Sequence, residues 1–415
     1  MDRLGPGREK PGVSARPQAV SLPLARMASA SEDATFLSRN AVDCLPAGAL
    51  QDKLAAGRPL RVKLGLDPTA PDIHLGHVVV LQKLREFQDR GHLVVLIVGD
   101  YTARVGDPSG RSSTRPQLSG DDIDANARTY QEQAFTVLDP ARVEVRRNSE
   151  WLDMSMEELF RLTRTATVAQ ILERDDFAKR YAAQTPISVL ELLYPMLQAY
   201  DSVAIDADVE LGGTDQKFNL LLGRDVQRAY GKPEQVVLTM PILPGVDGER
   251  KMSKSLGNHI GVAEPPQEMY GKTLSIPDAA MPQWYDLLLG EPMPSDLGPR
   301  DAKHALARRL VARFHGDAAA ADAAAHFERV VIQKDVPEDI PVHALASNGA
   351  PVHLPAVIAD AFGLSRSEAR RLLGQGAVKL DGTPLGAGEL DVPAERLDGA
   401  VLQVGKRRFC KLARG

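Results

Sequence analysis

The sequence has few of the residues that build disulfide frameworks, zinc sites and membrane spans. Its 415 residues include two cysteines, Cys44 and Cys410, which lie far apart and in no metal-ligand spacing. This excludes a disulfide scaffold, gives no sign of a metal site, and is typical of a reducing compartment. No apolar run approaches the roughly 18 residues that a membrane-spanning helix needs. We therefore expect a cytoplasmic protein with no membrane partner.

An overall excess of positive charge is also absent. Fifty Lys and Arg against 55 Asp and Glu leave a net charge of −5, which argues against a protein that is basic throughout and coats nucleic acid. The stretch 365–415 differs, because ten Lys or Arg against six Asp or Glu give it a net charge of +4. A solvated basic face is one interpretation. The terminal KRRFCK favours the other, which is contact with an RNA backbone.

The first 33 residues lack hydrophobic periodicity. They are rich in Pro, Gly, Ser and Arg, so we predict a disordered extension over residues 1–33. Asp2, Glu9 and the prolines disrupt the amphipathic helix that a transit peptide would form, which favours disorder over targeting. Met27 is an alternative start. The rest of the chain is long enough for two or three domains.

The segment that follows has the pattern of a βαβ unit. Residues 61–66, RVKLGL, predict a strand that ends in a turn at Asp67, and apolar residues then recur at helical spacing from Leu75 to Phe87. HLVVLIVGD (92–100) predicts a buried parallel strand. The loops after both strands should face one crevice. We predict the α/β fold class, with a Rossmann-like parallel sheet. Further elements are expected as strands at 142–146 and 236–243, helices at 156–198 and 265–338, and a linker at 346–351.

Two histidines stand at the start of the predicted helix. His74 and His77, in HLGH, are three residues apart and share one side of the first turn, and Gly76 lets a ligand approach the backbone closely. The free N–H groups and the dipole of a helix N-terminus bind anions, which suits a nucleotide triphosphate. Taken alone, such a histidine pair is as often a cap or a core group.

A second polar motif, KMSKS, occupies residues 251–255. Lys251 and Lys254 lie on a Gly-rich loop and can bring two positive charges to a leaving pyrophosphate. Alone, KMSKS would most often be a surface loop. Together with HLGH after a strand and before a helix, it predicts an ATP site.

The two motifs resemble the HIGH and KMSKS signatures of the class I aminoacyl-tRNA synthetases. The stretches LGLDPTAPDIHLGH, GDPSGR, YPMLQAYD and ELGGTDQKFN are similar to those of the bacterial tyrosyl-tRNA synthetases. The resemblance extends from about Ala34 to the C terminus. It implies a Rossmann-like catalytic domain with an inserted helical segment over 34–245, the KMSKS loop and a helical domain over 246–345, and a small α+β RNA-binding domain over 350–415.

The activity that the resemblance implies is that of a tyrosine–tRNA ligase. Such an enzyme activates L-tyrosine with ATP to tyrosyl-adenylate and pyrophosphate, then transfers tyrosine to the 3′ end of tRNA(Tyr). Mg²⁺ would accompany ATP without a metal site built from protein alone. A homodimer is also implied, in which one tRNA spans both subunits.

Roles for individual residues follow from the same resemblance. The implied catalytic residues, which stabilise the phosphates and the pyrophosphate, are His74, His77, Lys251, Lys254 and Thr69. The implied tyrosine-binding residues are Asp107, Tyr194, Gln198, Asp201, Gln216 and Thr102, with Asp201 on the phenolic OH. The implied ATP-binding residues are Asp67, Gly65, Gly76, Gly213, Asp215, Ser255, Arg111 and Arg115, with Asn148 beside them. The implied tRNA-phosphate contacts are Arg366, Arg370, Arg371 and Lys379.

One position departs from the family pattern. Many tyrosyl enzymes have Tyr before x-Gly-x-Asp-Pro-Thr as a second partner of the phenolic OH, whereas KLGLDPT places Lys63 there. Lys63 either pairs with a pocket carboxylate or contacts the substrate. GTDQKFN also differs from the stretch in which other members have a Trp. We interpret both differences as marks of a subgroup with the same substrate.

Three alternative functions remain at the level of sequence. A synthetase for another amino acid, tryptophan above all, is disfavoured by YPMLQAYD with GGTDQ. An RNA-binding protein that keeps the fold without catalysis is disfavoured by the intact histidines and lysines of the two motifs. A small-molecule adenylate-forming enzyme would leave the helical region and the basic tail without a role.

Overall fold

The structure is a computed structural model. It describes residues 29–68, 72–107, 119–329, 340–345, 351–386, 388–405 and 408–414. None of the helices in these ranges combines the length and apolarity that crossing a membrane requires. The strands are β1 Asp43–Leu45, β2 Arg61–Leu66, β3 Leu93–Val98, β4 Val143–Arg147, β5 Val209–Gly213, β6 Val236–Met240, β7 Val342–Leu345, β8 Val352–His353, β9 Val378–Leu380, β10 Thr383–Pro384, β11 Asp391–Val392, β12 Val401–Val404 and β13 Arg408–Arg414.

Helices lie between and after these strands. They are α1 Ala30–Ser38, α2 Ala49–Ala55, α3 Leu75–Asp89, α4 Thr102–Val105, α5 Gly120–Ala134, α6 Ser149–Leu152, α7 Met156–Thr163, α8 Val168–Ile171, α9 Asp175–Ala182, α10 Val189–Ala204, α11 Lys217–Ala229, α12 Pro266–Leu274, α13 Met281–Trp284, α14 Pro299–His315, α15 Asp317–Phe327, α16 Leu354–Phe362, α17 Arg366–Gly374 and α18 Ala394–Leu397.

A six-stranded sheet organises the larger part of the chain. Its order is β1-β6-β5-β2-β3-β4, with β1 antiparallel to β6 and the other neighbours parallel. From the centre of the sheet, β2, β3 and β4 follow one another towards one edge, and β5 and β6 follow one another towards the other edge. The strand order therefore reverses between β2 and β5. In open parallel sheets, ligands bind at the carboxyl ends of the strands where the order reverses. The predicted α/β fold is confirmed.

The predicted βαβ unit is β2, α3 and β3. Helix α3 buries the apolar face that its spacing predicted, including Leu75, Val78, Leu81 and Leu84. Each such side chain contributes roughly 1.5–3 kcal/mol by leaving water. Gly91, with φ of 85°, reverses the chain into β3 at low steric cost.

Strand β5 was not predicted, although it lies at the centre of the sheet. Its sequence VELGG holds an acid and two glycines, which strands disfavour. Glu210 is nevertheless buried, because Lys63 on the neighbouring strand β2 pairs with it. A sequence pattern shows neither the neighbouring strand nor the ion pair.

The first helix begins inside the stretch 1–33 that was assigned to a disordered extension. Ser29 caps α1: its hydroxyl accepts from the backbone N–H of Glu32, and the Glu32 carboxylate accepts from the backbone N–H of Ser29. This reciprocal cap stabilises the first turn. Residues 30–33 are therefore helical, and residues 1–28 lie outside the described part of the chain.

The sheet-forming segment and the helices that follow it share one hydrophobic core. Buried residues of α12 to α14, such as Met269, Trp284 and Leu306, belong to the same cluster as Val62 of β2 and Leu211 of β5. The predicted boundary at residue 245 therefore does not separate two cores. The helical segment is packed against the sheet by the ordinary burial of apolar side chains.

The C-terminal unit has a core of its own. It contains a five-stranded sheet of order β10-β9-β12-β13-β7 and the pair β11-β8. Strand β7 pairs in parallel with β13, so the unit begins at or before Val342 rather than at 350. The shift in composition at 346–351 does not reveal this pairing, because composition does not show which strand a short segment pairs with.

Candidate active site

The HLGH motif forms the start of α3, at the carboxyl end of β2. His74 is the N-cap, and its Nδ1 accepts from the backbone N–H of Gly76 at 3.2 Å. The Nδ1 of His77 accepts from the backbone N–H of His74 at 3.3 Å. The two ring centroids are 4.0 Å apart. The rings therefore cap the helix and also stand side by side at its positive end.

Both histidines are neutral over the ordinary pH range. Burial, reinforced by His77, lowers the pKa of His74 to about 2. Burial, reinforced by Lys251, lowers the pKa of His77 to about 4. Because each Nδ1 accepts a backbone N–H, the proton of each neutral ring is assigned to Nε2. The pair can thus present two N–H donors to an anion.

The segment after KMSKS is bonded to the HLGH turn. The backbone N–H of Leu75 donates to the carbonyl of Ile260, and that of Val262 donates to the carbonyl of Ile73, both at 2.9 Å. Both motifs therefore lie at the same edge of the sheet, although about 180 residues separate them in the sequence.

Each lysine of KMSKS has a carboxylate partner. Lys254 lies 3.1 Å from Asp72, directly before the HLGH turn, and Lys251 pairs with Asp215 after β5. All four side chains are at least partly exposed to solvent. Ion pairs of this kind contribute little stability, so a polyanion can replace the carboxylates.

Asp67 joins three elements beneath the HLGH turn. Its carboxylate accepts from Thr102 of α4 at 2.7 Å and from the hydroxyl of Tyr194 of α10 at 2.8 Å. The amide of Asn148 donates to Thr102 at 3.0 Å. A Cβ on Gly99 would lie 2.0 Å from Asp67, so this approach requires glycine. Sequence reasoning did not assign Gly99, although it follows β3 directly.

A row of amide side chains links α10 to the segment after β5. Gln216 donates to Asp107 at 3.1 Å. Asn219 donates to the side-chain oxygens of Gln216 at 3.0 Å and Gln198 at 2.8 Å, and Arg174 donates to Asn219 at 2.8 Å. Sequence reasoning missed Asn219 and Arg174. Asn219 lies within the quoted ELGGTDQKFN, which was the available signal.

Asp201 lies on α10 and is 3% exposed. The indole N–H of Trp151 donates to its Oδ1 at 2.8 Å. Burial raises the pKa of Asp201 to about 7, while the charge of Lys63 and the bond from Trp151 act in the opposite direction. The carboxyl group is therefore ionised at pH values above about 7 and protonates as the pH falls below it.

Lys63 pairs with a carboxylate, which is the first of the two alternatives. Its Nζ lies 2.8 Å from Glu210, 2.7 Å from the hydroxyl of Ser202 and 2.9 Å from the carbonyl of Gln198. An ammonium has three N–H groups, and these contacts use all three. Lys63 therefore attaches α10 to the sheet and has no N–H left for a substrate.

The remaining predicted residues are placed as follows. Gly65 is the next-to-last residue of β2 and has nothing within 4 Å of a hypothetical Cβ. A Cβ on Gly76 would lie 3.0 Å from the His74 ring, and one on Gly213 would lie 2.6 Å from Asp215. Ser255 is exposed and bonds Ser253 at 2.9 Å. Thr69, Arg111 and Arg115 lie outside the described residues.

The predicted tRNA contacts lie in the C-terminal unit. Arg366, Arg370 and Arg371 line a cleft of about 570 Å³ at the start of α17, together with His353, Pro355 and Ser367. Guanidinium groups bind phosphate well because their N–H groups form a planar fork. Lys379 is on β9 and is not a lining residue of that cleft.

Comparison of the sequence with known proteins shows which family the chain is similar to. The family model described as tRNA synthetases class I (W and Y) matches residues 55–331. The chain is 52% identical over 394 residues to the tyrosine–tRNA ligase of Moorella thermoacetica, covering 91% of this chain and 94% of that protein. It is 48% identical over 396 residues to the tyrosine–tRNA ligase of Thermotoga maritima, covering 92% and 98%.

Solved structures agree on the fold. A C-terminally truncated mitochondrial tyrosyl-tRNA synthetase from Aspergillus nidulans matches with a TM-score of 0.61 at 22% identity, covering 74% of this chain and 95% of that one. The tyrosyl-tRNA synthetase of Archaeoglobus fulgidus, solved with L-tyrosine, matches with a TM-score of 0.59 at 23% identity, covering 71% and 99%. The chain therefore belongs to the class I tRNA synthetases (W and Y), and within them to the tyrosine–tRNA ligases.

Proposed function

We propose that this chain activates L-tyrosine with ATP and transfers the tyrosyl group to the 3′ end of tRNA(Tyr). The observation that carries the proposal is the pair of backbone hydrogen bonds that join the HLGH turn to the segment directly after KMSKS, where the strand order reverses. The identity to tyrosine–tRNA ligases over nearly the whole chain supports the same activity.

The first step needs positioned charge rather than a general base. The carboxylate of tyrosine is already ionised, and one of its oxygens attacks the α-phosphorus of ATP. A bond from that oxygen to phosphorus forms as the bond to the pyrophosphate oxygen breaks, which gives tyrosyl-adenylate and pyrophosphate. Reactions of this kind depend on positioning and on stabilising developing charge.

The two motifs supply that stabilisation in our proposal. The Nε2–H groups of His74 and His77 donate to the phosphates, since neutral donors at a helix N-terminus hold an anion without a proton transfer. Lys251 and Lys254 exchange Asp215 and Asp72 for the pyrophosphate. Thr69, Arg111 and Arg115 are proposed to join them. Mg²⁺ is proposed to arrive bound to ATP. Among the described residues, no three His, Cys, Asp or Glu side chains form a group that could hold a metal ion.

The tyrosine pocket is proposed to run from Asp107 to Asp201. Asp107, Tyr194, Gln198 and Gln216 hold the ammonium group, and Thr102 orients Asp67. At the far end, Asp201 accepts the phenolic hydroxyl. Phenylalanine would leave this buried carboxylate without a partner, which is the basis of discrimination known for this class of enzyme.

The remaining residues are assigned to ATP and tRNA. The proposed ATP surface consists of Asp67, Gly65, Gly76, Gly213, Asp215 and Ser255, with Asn148 beside it. Support comes from the glycines, of which Gly65 has open space around it. The cleft of Arg366, Arg370 and Arg371, with Lys379 on β9, is proposed to bind tRNA phosphates.

Tyrosine-dependent exchange of labelled pyrophosphate into ATP tests the first step. We expect exchange with tyrosine and far weaker exchange with tryptophan or phenylalanine, followed by charging of tRNA(Tyr). Exchange driven best by tryptophan would contradict the tyrosine assignment. If no amino acid supported exchange, the proposal that this chain activates an amino acid would be contradicted.

We also propose that two copies of the chain associate. Large apolar side chains are exposed on α7 to α10, which is unusual for a surface that stays in water. They include Met156 at 62%, Phe160 at 53%, Tyr181 at 62% and Val189 at 76%. A second copy of the chain packed against this surface would remove these apolar side chains from water, which favours association.

Substitution of these side chains tests the dimer. Phe160→Asp with Val189→Asp is expected to convert a dimer to a monomer in sedimentation velocity, because two desolvated charges would oppose association. Val42→Asp is the control, since Val42 is 57% exposed but lies outside this group. A wild-type chain that sediments as a monomer at micromolar concentration would contradict the proposal.

A further inference from the structure

The arginine cleft of the C-terminal unit contains a fourth basic side chain, His353, to which the sequence gave no role. His353 lines the cleft together with Arg366, Arg370 and Arg371, and none of the described residues that line it is acidic. Arg371 lies 3.8 Å from Glu368, and both of these side chains are exposed, so this pair neutralises the cleft little. The cleft therefore attracts an anion, which the proposed function identifies as a tRNA phosphate.

The packing of two helices fixes the position of His353. It is the last residue of β8 and directly precedes α16. Leu354 and Ile358 of α16 are buried in the same core as Leu373 of α17. Pro355, in the first turn of α16, lines the cleft beside the histidine. The imidazole is 40% exposed, so a ligand in the cleft can reach it.

A carboxylate that does not line the cleft holds the imidazole. Asp391 is opposite His353 in the antiparallel pair of β8 and β11, and its Oδ1 lies 2.7 Å from Nδ1 of the histidine. An ionised carboxylate only accepts hydrogen bonds, so a proton is assigned to Nδ1. The carboxylate thereby orients the ring, and Nε2 is the nitrogen left for a ligand.

The protonation of Nε2 decides which ligand the ring can bind. In a neutral ring with its proton on Nδ1, Nε2 is an acceptor, and so are the oxygens of an RNA phosphate. Two acceptors form no hydrogen bond, so the ring can bind a phosphate only when it carries a second proton. Histidine changes its charge between about pH 5 and pH 8, and a phosphate beside the ring favours the charged form.

We infer that His353 is a phosphate-binding residue of the tRNA cleft, that Asp391 positions it, and that it takes up one proton when RNA binds. The inference rests on the proposed tRNA binding. The charged groups that face His353 are Asp391 on β11 and the three arginines on α17. Because RNA and the proton favour each other's binding reciprocally, the affinity for tRNA should rise as the pH falls.

Filter binding of a tRNA(Tyr) transcript at fixed ionic strength measures this dependence. We expect the wild-type affinity to be about fivefold or more higher near pH 5.5 than near pH 8, a coupling at the lower end of the usual range. His353→Gln, whose side chain does not titrate, should remove this gain. Near pH 5.5 it should also flatten the salt dependence by up to about one unit, the value for one phosphate contact.

Two further variants separate charge from shape. His353→Lys keeps its charge at both pH values, so it should bind tRNA near pH 8 more tightly than the wild type and show little pH dependence. Asp391→Asn keeps an oxygen that can accept from Nδ1 but removes the negative charge. The gain in affinity should then require a lower pH, because the protonated ring has lost an opposite charge.

His343→Gln is the matched control. His343 belongs to the same unit, on β7, and its Nε2 lies 3.5 Å from a carboxylate oxygen of Asp360. It is not a lining residue of the cleft. This variant should keep the pH profile of the wild type, which separates a proton taken up in the cleft from the titration of other histidines in the unit.

Three results would overturn the inference. The first is a wild-type affinity that does not change with pH, and the second is a wild-type pH profile in His353→Gln. The third is an equal loss of affinity at both pH values in that variant, since a neutral Nε2 that accepts from a ribose 2′-hydroxyl would behave in this way. Failure of the proposed tRNA binding is a separate result, because the wild type would then neither bind nor charge tRNA(Tyr).

Discussion

At the scale of single residues, the least expected feature is a fully buried lysine. Lys63 and Glu210 are 0% and 1% exposed and occupy paired positions on β2 and β5. Removing water from two charges is costly, and their attraction repays the cost only when both partners are present. Removing one partner therefore leaves an uncompensated charge in the core.

Lys63→Met is expected to lower the free energy of unfolding by about 3–5 kcal/mol. The double variant Lys63→Met with Glu210→Met should recover most of that loss. Urea unfolding can be followed by tryptophan fluorescence, because both tryptophans, Trp151 and Trp284, lie before the C-terminal unit.

An exposed ion pair provides the control for this prediction. The side chains of Lys179 and Asp175 are 73% and 83% exposed, so Lys179→Met should leave the unfolding curve almost unchanged. A Lys63→Met chain as stable as the wild type would show that the pair contributes no more than a surface pair does.

The residue scale also shows what the sequence could and could not predict. His74, His77, Lys251 and Lys254 were found because each motif keeps its chemistry within a few neighbouring positions. Trp151 was not found, because its partner Asp201 lies 50 residues away and only the fold brings them together. The roles of the motif residues stay predictions until they are measured.

At the scale of elements, agreement is best where the burial pattern is regular. Strand β2 has the predicted bounds 61–66, and α3 begins at the predicted Leu75. Such elements are predicted well because a helix buried on one face has apolar residues with a period of 3.6. A strand buried on both faces has an uninterrupted run of apolar residues. Strand β5 shows neither pattern, because its second residue is the buried acid Glu210 and its last two residues are glycines.

Helix α10 is the element on which the proposed pocket depends most. Tyr194, Gln198 and Asp201 recur at intervals of three or four residues and therefore share one face. Lys63 bonds this helix through the carbonyl of Gln198 and the hydroxyl of Ser202. The ion pair of Lys63 and Glu210 thus positions several proposed tyrosine contacts together.

At the scale of the whole molecule, the hydrophobic clusters of the described residues fall into two sets. The clusters around the large sheet end before residue 330, and the cluster of the C-terminal unit begins at Leu345. A chain that ends at residue 339 keeps the first set and lacks all strands of the five-stranded sheet. A cut within the second core would expose apolar side chains and favour aggregation.

We expect the chain that ends at residue 339 to keep tyrosine-dependent pyrophosphate exchange and to lose tRNA charging. Removal of phosphate contacts lowers affinity and flattens its dependence on salt by about one unit for each contact. Filter binding of tRNA at several salt concentrations measures both quantities.

The triple variant Arg366→Ala, Arg370→Ala and Arg371→Ala is the matched comparison, since it keeps the unit and removes the cleft charges. It should reproduce much of the flattened salt dependence. If the shortened chain bound tRNA as tightly and with the same salt slope, the basic tail would be a solvated surface.

The backbone bonds between HLGH and the segment after KMSKS also limit how far the loop can travel. Before the loop, the buried Met252 bonds Leu243 through its backbone N–H at 3.1 Å, and after it Ile260 bonds Leu75 at 2.9 Å. Residues 253–259 therefore form a short flap that is pinned at both ends. If the loop closes over ATP as we propose, we expect Lys254 to move only a short distance, because both ends of the segment stay bonded.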